Sequence, residues 1–138
     1  SCLGRPAYTE QVQSAIERDK RIRCIPSRYK INHIIEQTYC ILSYFTIPHA
    51  NLALAESIIL GTPSIAARTS ESMEYSLNGS MASLFKINDY EEFKNHIRKF
   101  PKERPQIIEN IKEHSIEISK MFDPITNSNK LNEIYKTI

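Results

Sequence analysis

Three features of the sequence predict an α/β fold with a parallel sheet covered by helices on both faces. Short apolar or β-prone runs alternate with segments of helical period along most of the chain. The connecting segments reach about 10 to 15 residues, long enough for right-handed crossovers and too long for hairpins. The run at residues 39–45, interrupted by Ser43 alone, is apolar on both faces, as a strand buried on both faces would be.

Each element has its own local reason. Residues 1–4 read as the tail of a strand closed by Gly4, Arg5 and Pro6. Thr9 is placed to cap a helix through Arg18, with Val12 and Ile16 on one face. Residues 21–25 are short and β-prone, and Pro26 stops them. Ile31, Ile34, Ile35 and Thr38 keep helical spacing before the 39–45 strand. Residues 51–60 form a helix that Gly61 and Pro63 end. Residues 64–67 are a strand, 70–77 a small helix closed by an Asn78-Gly79 turn, and 81–85 the last strand. Tyr90, Phe93, Ile97 and Phe100 follow at helical spacing, with Asp89 and Glu92 placed as a capping box. Ile107, Ile108, Ile111, Ile118 and Phe122 make a second amphipathic stripe, and Leu131, Ile134 and Tyr135 a terminal helix. The reading is one domain over 1–138, with sheet and covering helices in 1–100 and trailing helices in 101–138.

Composition narrows the function classes. The 138 residues carry a net charge of +2, are 41% hydrophobic and are 25% charged, so the chain has the make-up of a globular domain and no strong basic excess. Tyrosines are scattered and make no stacking platform for single strands. Nucleic acid is therefore not an expected partner. No apolar run exceeds four residues, so no segment reads as a membrane-spanning helix. There are only three glycines, where average usage gives about ten. Gly4, Gly61 and Gly79 can write neither a dinucleotide fingerprint nor a phosphate-binding P-loop. Cys2, Cys24 and Cys40 have no C-x-x-C spacing and suit a reducing compartment. The histidines join no zinc-spaced set, and G-x-S-x-G is absent. The chain opens on Ser1 straight into an apolar-then-turn segment, and the expectation is a piece of a longer protein.

Ligands of open parallel sheets bind beyond the carboxyl ends of the strands. The loops at 26–30, 46–51 and 68–72 are the places to look. The middle loop enters the 51–60 helix, whose unpaired amides at Asn51 and Leu52 can face an anion such as a diphosphate, and Asn51 can equally be a plain cap. Glu56 is the only ionisable side chain between Ala50 and Pro63, and its helical neighbours are apolar. A buried carboxylate there would need partners, and the vicinal hydroxyls of a ribose would serve, as would an amide, an arginine or solvent. Arg5, Arg28 and Arg68 stand in or beside strand ends, where guanidinium groups can pair with phosphate. His49, just before the helix, can donate to a phosphate or a sugar hydroxyl.

Several stretches together resemble a known family. "LALAESIILGTPSIA" (52–66) is similar to the central signature of the retaining group-1 glycosyltransferases of the GT-B fold. There, a helix carries an acidic residue followed by Gly-x-Pro and a short β-run. "ESMEYSLNGSMASLF" (71–85) resembles the following stretch, with Glu74 eleven residues after Pro63. "INDYEEFKNHIRKF" and "FDPITNSNKLNEIYKTI" resemble the segment after the last strand and the family's terminal stretch. The likeness spans nearly the whole chain.

The resemblance implies a Rossmann-like, carboxyl-terminal half of a GT-B fold, truncated at its N-terminus and lacking its acceptor domain. It implies a nucleotide-sugar donor, with Glu56 on the ribose and the amides at Asn51 and Leu52 facing the diphosphate or donor sugar. His49 and Arg28 join this donor-binding set by their loop positions. The resemblance further implies transfer of a hexosyl group with retention, no metal and no cofactor. The piece alone would be inactive. A cytoplasmic protein follows, with peripheral membrane association of the full-length chain and self-association as further expectations. Some positions depart from the family pattern. Pro48 stands where a second glutamate is usual, His49 and Ala50 replace a glycine and an aromatic, and Ser70 and Glu71 replace paired glycines. These departures keep open an alternative, a non-catalytic glycan-binding or partner subunit.

Overall fold

The structure, a computed structural model, describes residues 6–23, 25, 31–45 and 50–137. The chain divides into two compact units, Ser1–Lys30 and Ile31–Ile138. In the first, α1 (Pro6–Arg18) starts on a proline, whose missing N–H costs nothing at a helix's first position and whose fixed φ suits it. Thr9 therefore lies inside the helix and is not its cap. The expected strand at 21–25 is not formed by its described residues. Instead, Asp19 accepts hydrogen bonds from the Arg21 amide and guanidinium at 3.0 and 2.9 Å, and Ile22 N donates to the Asp19 carbonyl. This local turn satisfies the backbone without a ladder, and Ile22 and Ile25 are left exposed. The expected strand tail at 1–4 lies outside the described residues.

The second unit is α/β. Its order is α2 (Asn32–Gln37), β1 (Ile41–Ser43), α3 (Leu52–Ile59), β2 (Ser64–Ala67), α4 (Ser70–Tyr75), β3 (Ala82–Phe85), α5 (Tyr90–Met121) and α6 (Pro124–Thr137). The three strands form one parallel sheet in the order β1-β2-β3. Ile41 aligns with Ser64, and Ser64 with Ala82.

The pleat assigns side chains to faces. Ser43, Ser64, Ala66 and Leu84 share the face toward α3, where the Ser57 and Ser64 hydroxyls bond at 2.6 Å. Ile65, Ala67, Ser83 and Phe85 share the face toward α5, where Ser83 meets His96 and Phe85 packs on Phe93. Helices thus lie on both faces, and every residue of β2 and β3 is buried. The small side chains of β2 let α3 come close enough for a direct hydroxyl contact. Leu54 and Ile58 from α3 and Ile111 and Ile118 from α5 complete the core. Each such side chain contributes roughly 1.5–3 kcal/mol of hydrophobic stabilisation.

The 39–45 strand is the main correction. Only Ile41–Ser43 is β-structure, and it lies at one side of the described sheet with Leu42 60% exposed. Its α5-facing side is not buried because α5 lies over β2 and β3. Cys40 beside it is half-buried among apolar groups, and burial pushes its thiol pKa up, so it stays protonated at neutral pH.

At the other end, one helix runs where two separate amphipathic stripes, divided between 1–100 and 101–138, were expected. Pro101 and Pro105 lie inside α5 and cannot donate to the carbonyls of Ile97 and Pro101. Phe100, Ile107 and Ile111 are nonetheless buried on either side of them. Packing against the sheet and α3 outweighs the two missing hydrogen bonds. The capping box forms in part: Asp89 accepts from Glu92 N at 2.9 Å, but the Glu92 carboxylate accepts from Lys86 N.

Candidate functional site

The carboxyl ends of β1 and β2 are joined by a buried polar network. Asn51 is the N-cap of α3, its Oδ1 accepting from Leu54 N at 3.2 Å and from Ser43 Oγ at 2.8 Å. Its Nδ2 donates to Ser72 Oγ, and Ser72 in turn meets Thr69, the N-cap of α4. Asn51 is 3% exposed, so its polar atoms are consumed inside the protein. The capping reading of Asn51 holds, and its side chain is not presented to a ligand. The network fixes the start of α3 against the loop that follows β2.

Ser43 and Ser72 were not singled out from the sequence. The only signal was two serines at positions that turn inward toward a helix start. Such signals are weak, because serine is equally common on surfaces.

Leu52 has a half-exposed side chain, and its amide donates to the Ala50 carbonyl at 2.8 Å. That amide is thus already engaged, against the expectation that it faces an anion freely. Glu56 settles a second point. It is the single ionisable side chain of a largely apolar helix, yet it is exposed, together with Leu52, Ala53 and Ile59, so of the alternatives open to it the solvent-facing one holds. The burial cost that argued for a ribose partner therefore does not arise. The geometry keeps Glu56 accessible, about 6 Å along the axis from Leu52, roughly one helical turn.

Arg68 turns away from this region. Its backbone N donates to the Phe85 carbonyl and its Nη2 to the Leu84 carbonyl at 3.2 Å, so it covers the outer edge of β3. His49, Arg28 and Arg5 lie outside the described residues. Of the predicted set, the structure places Asn51, Leu52 and Glu56 on one helix. Ser70 and Glu71 form the first turn of α4.

Two cavities lie apart from the start of α3. One of about 460 Å³ runs along the outer edge of β3, bordered by Arg68, His96 and Glu103. There, Ser83 Oγ donates to Glu103 Oε2 at 3.1 Å and, its one proton so used, accepts from His96 Nδ1 at 2.7 Å. This chain staples α5 to β3. The second, of about 480 Å³, is bounded by Tyr44 beyond β1 and by residues 88–93 beyond β3. Among the described residues, no group of three or more histidine, cysteine, aspartate or glutamate side chains could hold a metal ion. None of the described helices is long and apolar enough to cross a membrane. No family model, curated protein or solved structure matches the chain.

Proposed function

We propose that the chain is the donor-binding half of a GT-B glycosyltransferase, holding a nucleotide sugar at the start of α3. The observation that carries this reading is the placement of Glu56. It is an accessible carboxylate one turn into a helix that begins at the carboxyl end of a parallel strand. Such a helix directs the positive end of its dipole toward a diphosphate, with the Leu52 and Leu54 amides themselves engaged within the protein, and offers its carboxylate to vicinal ribose hydroxyls. The burial of Asn51 supports it indirectly, because a cap locked by Ser43 and Ser72 holds that helix end rigid. The likeness of 52–66 to the family signature supports the same site.

In this reading the nucleotide sugar is a substrate, and the chain carries no cofactor. Transfer leaves a nucleoside diphosphate, whose departing charge is stabilised by the helix end and by cationic groups. A separate acceptor-binding domain completes the enzyme, and this piece alone does not turn over. The full-length protein works in the cytoplasm, associates peripherally with membranes and can self-associate. A second reading, a non-catalytic glycan-binding or partner subunit, is favoured by one observation. Ser70 and Glu71 build the first turn of α4 where the family has paired glycines.

Calorimetric titration with uridine, guanosine and adenosine diphosphates tests the first reading. One of the three is expected to bind, and its deoxyribose counterpart to bind at least about tenfold more weakly, since hydrogen bonds to a charged group are lost. Equal binding of ribose and deoxyribose forms counts against the site.

A further inference from the structure

The cavity of about 480 Å³ at the opposite face from α3 has a composition of its own. Tyr44, Tyr90 and Phe93 give it aromatic walls, and Asn88 and Asp89 supply its polar groups. Tyr44 is 50% exposed and Tyr90 68% exposed, so much of each ring is accessible. The platform is fixed from behind. Tyr44 stacks on buried Phe85 at 5.5 Å with 12° between the rings, and its hydroxyl meets both Asn88 Oδ1 and Asn88 N. Asn88 is held at φ +64°, a conformation that residues other than glycine seldom adopt and that turns the loop back toward Tyr44.

Charge selects the ligand class. Asp89 and Glu92, in the loop and first turn of α5, repel a phosphate, whereas Glu91 is neutralised by Lys94. The cation position over the Tyr90 ring is already taken by Lys94, whose ammonium lies 4.9 Å from the ring centroid and is paired with Glu91 at 2.6 Å. A neutral ligand remains. Shape then separates the neutral candidates. Phe93 is inclined 52° to Phe85, to which Tyr44 is nearly parallel, and 37° to Tyr90. The walls therefore make a corner and not a parallel slot for a flat base. A puckered ring with C–H groups on its faces and hydroxyls on its rim fits a corner of this kind, because the C–H groups lie on the aromatic faces and the hydroxyls reach the amide and carboxylate.

We propose that this cavity binds a pyranose ring of a carbohydrate, through Tyr44, Tyr90 and Phe93 with Asn88 and Asp89 as hydroxyl partners. The site uses none of the residues of the nucleotide reading, so either can fail while the other stands. Amide proton–nitrogen correlation spectra of the whole chain, titrated with methyl α-mannopyranoside and with cellotetraose, test it. At least one saccharide is expected to shift the signals of Tyr44 and residues 88–93. Tyr90→Ala removes a mostly solvent-exposed ring and is expected to weaken binding about tenfold or more. Asn88→Gly keeps the left-handed backbone while deleting the amide, and is expected to weaken it in the same direction. No shift at these residues with either saccharide overturns the proposal. So does unchanged affinity in both variants, or a response to uridine or adenosine where the saccharides give none.

Discussion

Asn51 and Glu56 lie five positions apart on one helix, and they answer to different physics. Asn51 is buried and holds three partners, so Asn51→Ala removes a cap and leaves Ser43 Oγ without its acceptor. A loss of about 2 kcal/mol in urea unfolding is expected, the upper part of the range for N-caps. Glu56 is exposed, so Glu56→Gln should move stability by no more than about 0.5 kcal/mol. A residue whose loss is neutral for folding is free to be tested for binding. Asp123 shows the same logic in its titration. Hydrogen bonds from the Thr126 hydroxyl, and then from its amide, hold the Asp123 carboxyl below the usual aspartate range. A group depressed in the folded state stabilises it fully above the ordinary aspartate pKa, and that contribution vanishes as pH falls through the folded value. Carbon-detected titration of the Asp123 carboxyl should show the low midpoint, and Thr126→Val, which removes the first cause, should raise it.

Helix ends decide where these elements begin and stop. After α3, Thr62 N donates to the Ser57 carbonyl at 2.7 Å and Gly61 N to Ile58, with Gly61 at φ +80°. After α4 the same pattern recurs, Asn78 N to Met73 and Leu77 N to Glu74, but with Leu77 at φ +46° in the glycine's place. The first of these ends was legible from Gly61 and Pro63, and the second only from Asn78-Gly79, one residue late. A Cβ at Gly61 would meet nothing within 4 Å, so Gly61→Ala isolates the backbone cost. Thermal or urea unfolding should show it about 1–2 kcal/mol less stable. The joined helix α5 was not legible, because two prolines four residues apart read as a boundary in any local scheme. What keeps it continuous is the burial of Phe100, Ile107 and Ile111 against elements far away in sequence.

Across the whole molecule, the alternation of apolar runs and helical periods was enough to give a parallel α/β unit and three of its strands in register-compatible places. The length of β1 and the exposure of Leu42 were not, since apolar character at successive positions does not reveal how far a covering helix extends. The candidate site was legible in position and undecided in burial. The start of α3 was found from a strand, a loop and a cap, whereas the apolar neighbours of the single carboxylate could not decide between burial and solvent. The exposed side of α3, with Leu52, Ala53, Glu56 and Ile59, is what gives that carboxylate a functional reading. The most direct test of that reading is the affinity of Glu56→Gln for whichever of uridine, guanosine or adenosine diphosphate binds the unaltered chain, measured beside its unfolding curve. The account predicts an unchanged unfolding curve and affinity weakened at least about tenfold, one charged hydrogen-bonding partner lost. A nucleotide bound equally well by both proteins, or no binding of any of the three to either, would contradict it.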